Sequence, residues 1–433
     1  MSEPDMKARI SEVPMRSSSL GAAIAGWAIV MGGSTIDAQK PPAVRQIGRL
    51  ERVTSDSLAS VASALALSGG RVLVNDRIAR RVLLYDSTLT RASVVADTTA
   101  ATANAYGARP ASLIRYRGDS ALLIDQSSLS MFVIGPTGAI ARVIAIPRAE
   151  DAQALNLDTG VDALGRLVYF NALGSLPGVV MLGRGDPVYK DGKPTALIRF
   201  NAHIDSAYLV RVDPATRVLD SVTALRIPKL DREMKVDDQG GLTAIATTYD
   251  PLPIVDGWIV MPDRSIAVVR GRDYHVDWLS PDGHWTSSPK MPFDWQHVDD
   301  AQKQALIDST VARWQGQYDR IMSGAGRGGR GGSNLAPIIV ARPALASVPD
   351  YIPPFTPNQG SALNADAGGN LWIRTTTLIQ GQPVYDIVNR RGELFDRVQL
   401  PPFRTIAGFG PGVIYMAVKD SVGVVHLERA RMK

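Results

Sequence analysis

Cysteine is absent from all 433 residues. Disulfides, thiolate metal sites and cysteine nucleophiles are therefore excluded, and stability has to come from burial, which a chain of this length can supply. Histidine occurs five times and lysine ten, so arginine carries most of the positive charge. No dense Lys/Arg run accompanies the formal net charge of +5, and acidic and basic residues are interleaved. Nucleic acid needs a clustered basic patch, so it is not an expected partner. Also lacking are a Ser-His-Asp order, a His-Glu-x-x-His helix and a Gly-x-Ser-x-Gly elbow.

What is present begins at the N-terminus. "MRSSSLGAAIAGWAIVMGGSTIDAQK" places Arg16 ahead of the apolar run Leu20–Met31, and small and polar residues follow to Ala38. Twelve apolar positions are too few for a transmembrane helix but match the apolar core of a secretory signal, here spanning 1–38. Met1–Pro14 carries Glu3, Asp5 and Glu12, against the usual basic start, which makes Met15 an alternative first residue. The expectation is a periplasmic or secreted protein without a membrane span after cleavage. An uncleaved anchor is the alternative.

A module recurs along the rest of the chain. "GGRVLVND" (Gly69–Asp76), "GDSALLID" (Gly118–Asp125), "GRLVYFN" (Gly165–Asn171), "GWIVMPD" (Gly257–Asp263), "GGNLWIR" (Gly368–Arg374) and "GVIYMAV" (Gly412–Val418) share a glycine followed by an apolar run. Most are followed by a hairpin ending in proline, as in "YDIVNRRGELFDRVQLP" up to Pro401. Counted from Gly70, the starts fall 48, 47, 92, 112 and 43 residues apart. A base period in the forties predicts an all-β, six-bladed β-propeller of four-stranded antiparallel blades over 43–433. The glycine-led run is the second strand of each blade. The orphan segment Ala43–Val53 is expected to complete the last blade and close the ring.

At "DAGGNLWIR" and "VNRRGELFDRVQLP" the chain resembles bacterial six-bladed β-propellers related to the NHL-repeat and gluconolactonase-like proteins. That resemblance implies the fold. Members of the group bind, scaffold or catalyse, so it does not choose an activity. Gluconolactonase-like relatives hold a metal at the channel with carboxylate and amide side chains, a set with no residue-by-residue match here.

The two long gaps predict insertions at 173–206 and 293–359, both on the face formed by the 2–3 loops and the blade-to-blade links. The second contains an amphipathic helix over 299–322, with Ile307, Val311, Trp314, Tyr318 and Ile321 on one stripe and Asp299 or Asp300 as its cap. A Gly/Arg-rich loop follows at 323–333. Its Gly324-x-Gly326-x-x-Gly329 follows a helix rather than a strand, so it is not a dinucleotide fingerprint.

Polar residues close the apolar runs at Asp76, Asp125, Asn171, Asp263, Arg374 and Asp420. Asp76, Asp125 and Asp263 are candidate metal ligands, with turn capping as the alternative reading. Arg374 departs from the acidic pattern and is a candidate for an anionic group. Asp294, Trp295 and His297 form a candidate ligand contact on the inserted face. The function expected is a monomeric exported propeller binding a small molecule or a protein partner over that face. The alternative is a metal-dependent lactonase-type hydrolase or lyase at the channel mouth.

Overall fold

The computed structural model describes residues 41–99, 106–170, 189–190, 193–194, 198–200, 205–236, 242–325, 338–356 and 362–432. The expected signal segment, Asn171 and the Gly/Arg-rich loop past Ala325 lie outside them.

The chain is mostly β. The first sheet holds Ser63–Ala66, Val72–Asp76, Arg81–Tyr85 and Ala92–Ala96, and the second Ser112–Arg115, Ala121–Asp125, Ser130–Ile134 and Ile140–Ala145. The third holds Thr159–Val161, Leu167–Phe170, Ser206–Val212 and Leu219–Arg226. Asp256–Val260, Ile266–Arg270, His275–Leu279 and Trp285–Ser287 form the fourth. The fifth comprises Leu363–Ala365, Leu371–Ile379, Gln382–Val388 and Leu394–Gln399, with Val44–Gln46 added in parallel. The sixth comprises Arg404–Gly410, Val413–Lys419 and Val425–Arg431, completed by Leu50–Val53 from the other end of the chain. The expected orphan segment thus supplies two strands, one to each of the last two sheets.

Burial explains why the second strands read as unbroken apolar runs rather than alternating ones. Val72–Asp76 and Ala121–Asp125 are buried at every position, as strands covered on both faces are. Successive residues feed different cores: Val72 and Val74 join Tyr415 and Leu427 of the sixth sheet, while Leu73 joins Leu113 and Leu123 of the second. Leu122 and Ile124 in turn pack with Leu167 and Tyr169 of the third. Three further cores lie between third and fourth, fourth and fifth, and fifth and sixth sheets. The first strands adjoin in the same order, and Arg404–Gly410 lies against Ser63–Ala66. At that junction Gly408 is required, because a Cβ would overlap the Ala64 carbonyl.

A seventh sheet is assembled from three separate links. Ile198–Phe200 comes from between the second and third strands of the third sheet. Leu230–Val236 and Leu242–Tyr249 come from the connection to the fourth sheet. Ile338–Ala341, from the connection to the fifth, pairs in parallel with Leu242–Tyr249. The helix Asp300–Ala325 packs on this sheet. Trp314 stacks on Tyr249 with ring centroids 4.4 Å apart, and Tyr318 hydrogen-bonds to the Tyr249 hydroxyl. Asp299 caps the helix: its carboxylate accepts from Gln302 N at 2.8 Å, and Gln302 Oε1 accepts from Asp299 N at 2.9 Å. No described helix is long and apolar enough to cross a membrane.

One strand assignment is corrected. Gly257–Asp263 contains the first strand of the fourth sheet, not the second. Asp263 therefore sits in the turn between first and second strands, at the opposite end of its sheet from the position expected for it.

Candidate functional site

Antiparallel order puts the 2–3 turns and the sheet-to-sheet links at one end, and the 1–2 and 3–4 turns at the other. Asp76 and Asp125 sit at the link end, and both carboxylates are engaged locally. Asp76 accepts from Ser60 N at 2.8 Å, Ala59 N at 3.1 Å and Arg81 Nε at 3.0 Å, and it is fully buried. Asp125 accepts from Ser127 N at 2.9 Å and Ser128 Oγ at 2.7 Å. Asp263, at the far end, accepts from Ser265 N at 3.0 Å and pairs with Arg390 at 2.5 Å. Asp420 holds a turn through Val422 N and Val424 N. Among the described residues, no three His, Asp or Glu side chains come together as a metal set. Asp76, Asp125 and Asp263 thus each accept local hydrogen bonds, and Asp263 lies at the other end from the first two.

Arg374 lies inside a strand that continues to Ile379, opposite Tyr385 rather than at a strand end. Asp294, Trp295 and His297 are exposed on the link after the fourth sheet. Trp295 packs edge-on against Phe293, and His297 packs edge-on against Tyr351. The cavity beside Asp294 measures about 10 Å³, room for about one water molecule. The structure does not bring Asp294, Trp295 and His297 together with Asp76 or Asp125 in any described contact.

A different group gathers at the link end. The short helix Ala152–Leu155 ends at Asn156, which leads through Asp158 into the first strand of the third sheet. Asn156 is 3% exposed. Its Nδ2 donates to Pro110 O at 2.7 Å, and its backbone carbonyl accepts from Ser112 Oγ at 2.7 Å. Arg77, in the 2–3 turn of the first sheet, reaches past the second sheet to the same carbonyl at 3.4 Å. Two buried atoms there have no hydrogen-bond partner: Arg77 Nε, a donor, and Asn156 Oδ1, an acceptor. Buried polar groups are nearly always paired, so the unmet donor and the unmet acceptor, on two residues in contact, each call for a partner. Asp158 keeps solvent access while protein crowds around it. Burial pushes its carboxyl above the usual range, and the Arg77 guanidinium pulls the other way. The stretch "NLDTG" carries no motif, and Arg77 is 79 residues away in sequence from Asn156, so only the fold reveals the group.

No family model matches the chain, and no curated protein matches it. Among solved structures, virginiamycin B lyase from Staphylococcus aureus is 10% identical, covering 88% of this chain and 98% of its own, at a TM-score of 0.37. The chain is similar to β-propellers. Regucalcin from Agrobacterium tumefaciens, a calcium-binding protein, is 10% identical over 90% of this chain and 97% of its own, at a TM-score of 0.36. The aldose sugar dehydrogenase of Streptomyces coelicolor, in its PQQ-bound form, is 10% identical over 90% and 99%, at 0.36. Likeness at this level says nothing of what this chain binds; calcium and PQQ belong to those proteins.

Proposed function

We propose that this chain is an exported, six-bladed β-propeller that binds a small polar molecule at the link-end mouth, against Arg77, Asn156 and Asp158. Six sheets whose first strands adjoin in a closed circuit support the blade count. The apolar run behind Arg16 supports export to the periplasm or medium. The observation that carries the binding reading is that Arg77 Nε and Asn156 Oδ1, buried atoms of two residues in contact, are both unmet. A hydroxyl or carboxamide group meets both needs, because it accepts from the guanidinium and donates to the amide oxygen. Polyols, sugars and primary amides are the class to screen.

The test is calorimetric titration of such compounds into wild type and Asp158→Asn, with thermal unfolding of both across pH. The raised carboxyl means the folded chain retains a proton that the unfolded chain releases above about pH 4. Wild-type stability therefore falls as pH rises from there through the raised value. Asp158→Asn lacks that fall, equals wild type in acid and is the more stable at neutral pH. Binding weakened in a variant of higher stability marks a functional group held at a cost. If no member of the class binds wild type, the reading fails.

The raised Asp158 carboxyl favours one second reading, a hydrolase or lyase in which it donates a proton. Turnover of lactones that disappears in Asp158→Asn would establish it.

A further inference from the structure

A groove of about 360 Å³ runs between the second and third sheets, from the 1–2 turn of the second and the 3–4 turn of the third to the start of the link that leaves the second sheet. That volume lies in the range of small-molecule sites. Its walls are the 1–2 turn at Tyr116 and Arg117, the outer strand at Arg142 and Ile144 with the link start at Pro147, and the 3–4 turn Asp213–Arg217. Tyr116, Ile144, Pro147 and Pro214 make one part apolar. Three guanidiniums, Arg117, Arg142 and Arg217, line the rest.

The charges are not neutralised. Among the described residues, none of the three arginines forms an ion pair with a carboxylate. The one acid in the lining, Asp213, is turned onto its own loop, accepting from Ala215 N at 2.8 Å and Thr216 N at 2.9 Å. Those bonds hold its carboxyl below the usual range. Arg117 is fixed in place before any ligand arrives. It donates to Leu164 O at 2.7 Å, lies over the Tyr116 ring at 5.9 Å and occupies the space beside Gly165 that a Cβ would need. Arg115 and Arg264, half-buried at the 1–2 turn end, hydrogen-bond to backbone carbonyls, and Asp119 and Asp162 act on them electrostatically.

We propose that this groove is a second binding site, for a small organic anion that joins a carboxylate or phosphate to a flat apolar body. The anionic group meets the guanidiniums, which suit planar, charge-assisted hydrogen bonding. The body lies along Ile144, Pro147 and Pro214. The site is distinct from the mouth and does not depend on the reading given for it.

The test uses the full chain and calorimetry with phenyl phosphate, benzoate, inorganic phosphate and phenol, each at low and high salt. The informative variant is Arg142→Gln with Arg217→Asn. Arg142 is exposed, and asparagine tolerates the left-handed backbone at Arg217 (φ 61°), so the fold is retained. Phenyl phosphate or benzoate is expected to bind wild type, and about tenfold more weakly to the double variant and in high salt. Inorganic phosphate and phenol, each carrying half of the chemistry, bind less well than phenyl phosphate. Binding unchanged in Asp158→Asn separates this site from the mouth. The proposal is overturned if neither aryl anion binds wild type at low salt, or if the double variant binds as well as wild type.

Discussion

Arg264 holds a left-handed backbone, φ 72°, in the turn between the first two strands of the fourth sheet. The equivalent place is glycine in the third and fifth sheets, Gly165 at φ 80° and Gly369 at φ 83°, and the turns share one hydrogen-bond pattern. An L side chain there costs roughly 1–2 kcal/mol. What offsets the cost is visible: the guanidinium donates to Val161 O at 3.1 Å and to Tyr116 O, tying the fourth sheet to the third and the second. Arg264→Gly relieves the backbone but removes two charge-assisted bonds, each worth about 1.5–3 kcal/mol. The expected balance is a loss of roughly 1–5 kcal/mol in urea unfolding; a variant more stable than wild type would show that the brace contributes little. The same residue explains why Asp263 was misplaced from the sequence. The turn cue elsewhere is a glycine, and here it is an arginine. The nearest glycine, Gly257, lies inside the first strand, where a Cβ would crowd Leu363.

The 26-residue helix Asp300–Ala325 was legible as an element because its signals are local. The stripe from Ile307 to Tyr318 is the face that packs on the inserted sheet and its flanking link, and the cap is a reciprocal pair three residues apart. Asp299→Ala removes one half of that pair and is expected to cost about 1 kcal/mol. Hydrogen exchange should quicken in the first turn of the helix, and an unchanged rate there would contradict the capping role. The inserted sheet itself was not legible. Its strands are drawn from three links whose pairings span a long stretch of sequence, and the segment Leu230–Tyr249 lies in a gap read as one insertion when it holds two. The candidate site shares this difficulty. Asp76 and Asp125 are marked by their place at the end of an apolar run and accept local hydrogen bonds, whereas Arg77 and Asn156 meet only in three dimensions.

At the scale of the molecule, the circuit of sheets is closed by joining the two ends of the described chain. Leu50–Val53 pairs with Val425–Arg431, Thr54 Oγ1 accepts from Leu427 N at 3.1 Å, and Leu58 bridges Val425. A chain beginning at residue 54 leaves the last sheet one strand short, with Val425–Arg431 as an open edge, and takes the parallel strand Val44–Gln46 from the fifth. Compared with a chain beginning at residue 41, it is expected to unfold at lower urea concentration, with faster exchange across 425–431. Equal midpoints would show that closure does not depend on this strand. The threefold origin of the inserted sheet has a further consequence, for how such a protein can change over time. The hairpin Leu230–Tyr249 pairs with itself and holds both outer strands, so either outer link could be shortened and leave a sheet behind, whereas loss of the hairpin leaves Ile198–Phe200 and Ile338–Ala341 without partners. A homologue that keeps either outer strand should therefore keep the hairpin.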